Sequence, residues 1–168
     1  YAVRVSGGSA VPILDLYQVS DESERLARVK TYLQSLDTYI GTIESEHDKL
    51  HKNSDNKLVQ YEFDNQNCIL GASDIMLDTM MLSLPAQQIV AGSGSGTIDQ
   101  RAQKVLNSMD AIEDMMHLFY QHKGLNNNAS AAIDKIPVAH LNIRYQRMFA
   151  GALMYASGNH IGLEWGST

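Results

Sequence analysis

The sequence predicts an α+β fold, mostly α, with a four-helix-bundle-like core and a small antiparallel sheet. Two long segments carry apolar residues at alternating steps of three and four, and a third such segment lies near the C-terminus. Short segments near both ends and in the middle alternate apolar and polar residues, as strands do. We expect one domain spanning residues 1–168.

The first long helix is predicted to begin after Asp21 and to run to about Lys52. Asp21 suits an N-cap position, and Glu24 three residues later completes a capping-box pattern. One narrow apolar seam along this segment favours side-by-side helix packing. The seam consists of Leu26, Val29, Leu33, Leu36, Ile40, Ile43, His47 and Leu50.

A matching helix is predicted about seventy residues further on. Thr97 and Gln100 form its capping-box pattern, and Gly124 followed by Leu125 suits a Schellman stop. We expect the seams of the two helices to face each other. The residues expected at that contact are Leu33, Leu36 and Ile40 with Val105, Met109 and Ile112.

Two further helices complete the predicted bundle. A Met-rich segment from Asn67 to Ser83 is stopped by Pro85, and a fourth helix begins at Pro137 and continues to about residue 157. Strands are expected near Tyr1–Val5, Val11–Tyr17, Val59–Phe63 and Ile161–Trp165. Residues 92–96, Gly-Ser-Gly-Ser-Gly, have the composition of a flexible linker or of a non-native insertion.

Composition narrows the functional classes. The net charge of −6 argues against nucleic acid and anionic lipid as partners, and no apolar run approaches the roughly 20 residues needed to cross a membrane. The single cysteine, Cys68, excludes an internal disulfide and fits either the cytoplasm or a secreted protein without disulfides. The chain starts at Tyr1 without an initiator Met, which predicts a trimmed fragment or a mature product.

Glu44 with His47, and Glu113 with His117, are spaced one helical turn apart. Carboxylate and imidazole ligands in this spacing build di-metal sites in helical bundles. Such sites also need inward carboxylates from two further helices, which this sequence supplies poorly. We therefore expect no metal and no other cofactor, with these four residues as the alternative metal ligands. No hydrolase or phosphate-loop motif is present, and no catalytic residue is predicted.

The remaining polar and apolar features favour a protein partner or self-association. The residues expected to contact a partner are Met76, Met80, Met81, Arg144, Tyr145 and Arg147. The sequence thus favours a non-enzymatic helical interaction domain within a larger assembly, such as a secretion-system, viral or scaffold protein. A metal-binding or enzymatic bundle and an extracytoplasmic four-helix sensor domain are the alternatives.

Overall fold

A computed structural model of the chain describes residues 10–51, 71–137, 140–146 and 154–164; the side chains of residues 44, 46–51 and 146 are outside that description. The described elements alternate between helices and strands. They are β1 (Ile13–Asp15), α1 (Glu22–His51), β2 (Ala72–Met76), β3 (Met80–Pro85), α2 (Ala86–Ser93), α3 (Ile98–His122), a 3₁₀ turn (Ala132–Asp134), β4 (Leu141–Gln146), β5 (Met154–Ser157) and β6 (His160–Glu164).

The six described strands form one mixed sheet in the order β1-β2-β3-β4-β6-β5. β1 runs parallel to β2, β3 parallel to β4, and β4 parallel to β6. The hairpin β2–β3 and the β5–β6 pair are antiparallel. The sheet therefore combines three parallel pairs with two antiparallel pairs, and in sequence α1 lies between β1 and β2 as α2 and α3 lie between β3 and β4. It is not the small antiparallel sheet expected from the sequence.

The two long helices are confirmed, together with the Asp21 cap of α1, the capping box of α3 and the Gly124 stop. The Glu24 carboxylate, predicted to complete a capping box with Asp21, accepts hydrogen bonds from the Arg28 guanidinium. The Asp21 carboxylate accepts a hydrogen bond from the Glu24 backbone N–H at 2.7 Å. Thr97 and Gln100 form both bonds of a capping box at the start of α3. Gly124 adopts a left-handed φ of 76° after α3, where glycine carries no Cβ penalty. These helix ends could be predicted because they are set by hydrogen bonds between residues close in sequence.

The predicted four-helix bundle is wrong. The described residues contain three α-helices, of which only α1 and α3 are long, together with the six-stranded sheet. The predicted Met-rich helix lies instead in the hairpin β2–β3 over residues 72–85. Its apolar residues are buried at alternate positions, as in a strand, and the chain reverses at Leu77–Thr79. A short apolar run fits a buried strand or a buried helix equally well, which explains the error.

The predicted fourth helix is also wrong, because β4 and β5 lie within its range. Leu141, Ile143 and Tyr145 alternate along β4, so one sheet face receives all three. Residues 138, 139 and 147–153 of that predicted helix lie outside the described residues. The closing strand is confirmed as β6. The predicted strands at residues 1–5 and 59–63 also fall outside the described residues.

Alpha helices cover one face of the sheet, which we call the helix face. Leu14, Ile75 and Leu82 are paired in register across β1, β2 and β3, and each is at most 4% exposed. Residues of the opposite parity form the far face, where the Ser83 hydroxyl donates to the Asp74 carboxylate at 2.6 Å. The core beneath the helix face draws on both long helices. Its helical members include Val29, Tyr32, Leu33, Leu36, Ala102, Val105, Leu106, Met109, Met116 and Tyr120.

The long helices pack antiparallel. Arg25 forms an ion pair with Asp110 at 2.5 Å, and Lys30 forms one with Asp99. Residue numbers therefore increase along α1 in the direction in which they decrease along α3. Residues of both predicted seams are buried in the shared core, although Ile40 and Ile112 are only partly buried. α2 packs against this layer, and the Arg101 guanidinium of α3 donates a hydrogen bond to the Ser93 hydroxyl of α2. Ser93 is buried, although it belongs to the segment 92–96 that was predicted to be a flexible linker.

The described helices include none that is both long and apolar enough to cross a membrane.

Leu36→Ala is expected to lower the free energy of unfolding by about 2–5 kcal/mol, because Leu36 is fully buried and its truncation leaves a cavity. Chemical denaturation measures the change. Leu118→Ala, at a residue that is 65% exposed on α3, is the matched control and should stay within about 0.5 kcal/mol of the parent. Equal denaturation midpoints for the two variants would contradict the assignment of Leu36 to the core.

The stability of the fold is expected to decrease between about pH 10 and 12. Burial raises the pKa of Tyr32 to about 12, outweighing the lowering effect of its hydrogen bond to Ser73. The unfolded tyrosine ionises near pH 10, so unfolding releases a proton above that pH and the stabilisation is lost as pH rises further. The total loss should be about 2–3 kcal/mol. Urea denaturation as a function of pH measures it, and in Tyr32→Phe this part of the pH dependence should disappear.

Candidate functional site

Titratable and polar groups from several elements meet at the end of the sheet that carries the β2–β3 turn. Because β1 and β2 end there and β4 and β6 begin there, the sheet topology brings together residues distant in sequence. We call this region the turn end of the sheet. Its residues are Tyr17, Gln18, Asp78, Thr79, Glu113, His117, His140 and His160.

Glu113 of α3 holds the β2–β3 turn. Its Oε1 accepts hydrogen bonds from the Thr79 backbone N–H at 3.1 Å and from the Thr79 hydroxyl at 2.8 Å. The Glu113 side chain is 14% exposed, and Thr79 is buried. A carboxylate in this position satisfies a turn N–H that would otherwise be buried without a partner. Glu113 therefore fixes the turn to α3.

The second carboxylate oxygen of Glu113 faces His117. Oε2 is buried, makes no hydrogen bond to the described residues, and lies 3.9 Å from His117 Nε2. The predicted spacing thus does bring Glu113 and His117 together. Burial raises the pKa of Tyr120, which lies about two turns along α3 from Glu113, and the charge of Glu113 adds to this effect. These contacts describe a largely buried carboxyl group with one oxygen bonded to Thr79 and the other without a hydrogen bond among the described residues.

The loop after β1 binds the same turn from the other side. The Asp78 carboxylate accepts a hydrogen bond from the Gln18 backbone N–H at 2.6 Å. Gln18 has a φ of 55°, the left-handed region that a non-glycine residue occupies at a cost. The neighbouring Tyr17 ring meets the His140 ring edge-on, with centroids 5.3 Å apart. The loop and the start of β4 are thus joined across the end of the sheet.

Two histidines begin adjacent strands at this end. The His140 carbonyl accepts a hydrogen bond from the Asn159 side chain at 3.0 Å, and His160 stacks on the Tyr155 ring at 5.6 Å with the planes 10° apart. The Nε2 atoms of His140 and His160 are buried and have no hydrogen-bond partner among the described residues. Sequence reasoning missed both histidines, because only the sheet register, which pairs His160 with Asn142, brings them to the same end of the sheet.

The other predicted site residues are dispersed. Met80 is buried in the core, whereas Met76 and Met81 lie half-buried on the far face of the sheet. Arg144 is exposed on the far face, and strand alternation places Tyr145 on the helix face. Met76, Met81 and Arg144 thus share the far face, whereas Met80 and Tyr145 lie on the helix face. Arg147 and the side chains of Glu44 and His47 lie outside the described residues.

Two histidines of α1 form a further pair of candidate metal ligands. His47 and His51 stand four residues apart in His-Asp-Lys-Leu-His, and the backbone of α1 is helical through both. The pattern is close to His-Glu-x-x-His, a zinc-binding arrangement on a helix, but Asp48 stands where that motif has glutamate. Aspartate is one methylene shorter, so it departs from the motif at the position of the general base.

Comparison with known proteins finds similarity in structure but not in sequence. No family model matches the chain, and no curated protein matches its sequence. Among solved structures, the M60 catalytic domain of ZmpC from Clostridium perfringens, in complex with the sialyl T antigen, matches with a TM-score of 0.55 and 14% identity over 97% of this chain. The ZmpB metallopeptidase of the same organism matches with a TM-score of 0.54 and 15% identity over 97%. The catalytic module of the metalloprotease ZmpA matches with a TM-score of 0.50 and 10% identity over 94%.

The chain spans 25% of the length of each of these three structures. At this identity the likeness establishes a shared fold. It overturns the expected non-enzymatic helical interaction domain, which required a bundle that the structure does not have and which these peptidase domains do not resemble. The four-helix sensor domain fails for the same architectural reason.

Glu113→Ala is expected to lower the free energy of unfolding by about 2–3 kcal/mol, because it leaves the buried Thr79 donors without their charged acceptor. Glu113→Gln should cost less, since its amide oxygen still accepts both bonds. Chemical denaturation measures both, with the exposed Asp114→Ala as control. If Glu113→Ala has the parent's midpoint, the carboxylate does not hold the turn.

Proposed function

We propose that this chain forms part of the catalytic domain of an M60-type metallopeptidase. The observation that supports the proposal is the likeness of fold over 94–97% of the chain to the catalytic domains of ZmpC and ZmpA and to the ZmpB metallopeptidase. The enzymatic alternative from the sequence is therefore favoured over the binding module. The helical bundle attached to that alternative is not retained.

A metallopeptidase needs a metal ion, which when bound polarises the scissile carbonyl and activates water. In the described part of the chain, no group of three or more His, Cys, Asp or Glu side chains could hold one. One carboxylate oxygen of Glu113 is bonded to Thr79. Among the described residues, the only other side chain of a type that binds metals within 4 Å of this carboxylate is His117. The described residues therefore do not fit a metal site, and no catalytic step is assigned to them.

The role that these residues do fit is positional. Glu113 and Asp78 fix the β2–β3 turn to α3 and to the loop after β1. A rigid sheet end is the kind of support that a catalytic site on adjoining polypeptide requires, because small displacements of reacting groups reduce rates strongly. We propose that the turn end of the sheet supports the catalytic site in this way.

The polypeptide that carries this chain with the rest of the proposed catalytic domain is expected to cleave a glycoprotein bearing the sialyl T antigen, the glycan bound by the ZmpC catalytic domain. Mass spectrometry of the products measures cleavage. A chelator should reduce cleavage to background, and added zinc should restore it, because the metal supplies the activated water. A preparation with neither cleavage of peptide bonds nor bound metal would contradict the proposal.

The histidine pair of α1 provides a second readout. Metal content is compared between the parent and the His47→Ala, His51→Ala double variant, with His122→Ala as the control for loss of an α3 histidine. Metal lost only from the double variant would assign the pair as ligands. Metal retained in all three proteins would place the ligands elsewhere in the polypeptide.

A further inference from the structure

β1 lies at one edge of the described sheet, because it pairs only with β2 among the described strands. The Pro12 carbonyl accepts a hydrogen bond from the Asp74 N–H at 3.3 Å, and the Leu16 N–H donates to a carbonyl of β2 at 2.9 Å. The backbone groups of successive residues point to opposite edges of a strand. The N–H and C=O groups of Val11 and Ile13 therefore point away from β2. An edge of this kind is ready to accept another strand.

The free stretch of this edge ends at Asp15. The Asp15 carbonyl lies on the same edge as those of Val11 and Ile13, and it accepts a hydrogen bond from the Arg28 guanidinium of α1 at 2.8 Å. α1 thus occupies the last acceptor of the edge. Val11 and Ile13 are therefore the residues to which an added strand can bond on both sides, which restricts the register of that strand.

A groove of about 430 Å³ lies between this edge and α1. Its lining includes Leu14 of β1 and Ala27, Arg28, Thr31 and Ser35 of α1. The Thr31 hydroxyl donates to the Ala27 carbonyl at 3.1 Å, and the Ser35 hydroxyl donates to another carbonyl of α1 at 2.7 Å. Because both hydroxyls bond within their own helix, they need no partner from an occupant. This part of the wall therefore suits apolar side chains.

The sequence that precedes β1 has the pattern of a strand that fits this edge. Tyr1, Val3 and Val5 alternate with Ala2 and Arg4, and Ser-Gly-Gly-Ser at 6–9 suits a four-residue hairpin loop. Residues 1–9 lie outside the described residues. Since only this short loop separates residues 1–5 from the described chain, bringing them to the edge costs little loop-closure entropy.

We propose that Tyr1–Val5 adds to the free edge of β1 as an antiparallel strand. Ala2 faces Ile13 and Arg4 faces Val11, and each of these two pairs exchanges backbone hydrogen bonds. The added strand satisfies the free N–H and C=O groups of the edge, at which another chain could otherwise add. The pairing does not depend on the proposed peptidase activity.

This register directs the apolar side chains of the added strand into the groove. Tyr1 lies opposite Leu14, and residues that face each other across two strands point to the same side of a sheet. Leu14 is 1% exposed on the helix face, so Tyr1 and Val3 point to that side. A shift by one residue would turn both to the far face. A shift by two towards Asp15 would require the carbonyl that Arg28 already binds.

Disulfide formation tests the pairing and its register. Ala2→Cys with Ile13→Cys is made in a Cys68→Ser background, and Val3→Cys with Ile13→Cys in the same background is the matched control. Directly opposed residues of such a pair have Cα atoms about 5.5 Å apart, which suits a disulfide, whereas the control side chains point to opposite faces. Under mild oxidation we expect the first pair to form an intramolecular disulfide about tenfold faster than the control pair.

Equal rates for the two cysteine pairs, or a faster disulfide in the control pair, would overturn the proposal. Disulfide-linked dimers in place of the intramolecular product would also overturn it, because a second copy of the chain would then occupy the edge.

Hydrogen exchange gives a second readout without cysteines. In the proposed register the Arg4 N–H donates to Val11, whereas the Val3 N–H points away from β1. Arg4→Pro is therefore expected to speed exchange of the Ile13 amide about tenfold. Val3→Pro removes no hydrogen bond to β1 and should have a smaller effect. The same acceleration in both variants, or none in either, would contradict the pairing.

Discussion

Ile75 and Leu82 face each other across the β2–β3 hairpin, and the helix pair α1–α3 covers both. Burying each such side chain contributes about 1.5–3 kcal/mol. The contact requires a strand period of two in the hairpin and a helical seam opposite it. β1 pairs in parallel with β2, and β4 pairs in parallel with β3. Each of these two strands therefore extends the hairpin on one side and adds to the same buried face.

Polar interactions then fix the register of this apolar contact. Glu113 reaches across from α3 to the backbone of Thr79, and Asp78 binds the backbone of Gln18. A buried carboxylate is costly unless it is well bonded, so removing its partner is more damaging than the bond itself is stabilising. The hairpin turn is thereby held by two elements that are distant in sequence, and the turn end of the sheet becomes the best-defined polar region among the described residues.

The sequence predicts the two long helices well because their ends are set by local chemistry. A cap such as Thr97 with Gln100 needs only three residues of separation. The strands depend on distant pairing partners, so the run Leu141–Gln146 is a strand because it pairs with β3 and β6, which its local sequence does not show. The same holds for the site. The Glu113–His117 spacing is visible in the sequence, but the bond from Thr79, 34 residues away, is not.

The polar contacts at the turn end of the sheet connect the fold with the proposed function. Glu113 and Asp78 hold the β2–β3 turn to α3 and to the loop after β1, but the described residues contain no set of three metal ligands. The proposed function therefore requires ligands whose side chains lie outside the described residues, such as the His47–His51 pair of α1, or ligands from adjoining polypeptide. In the first case α1 itself carries the metal site, and in the second case the sheet end only supports it.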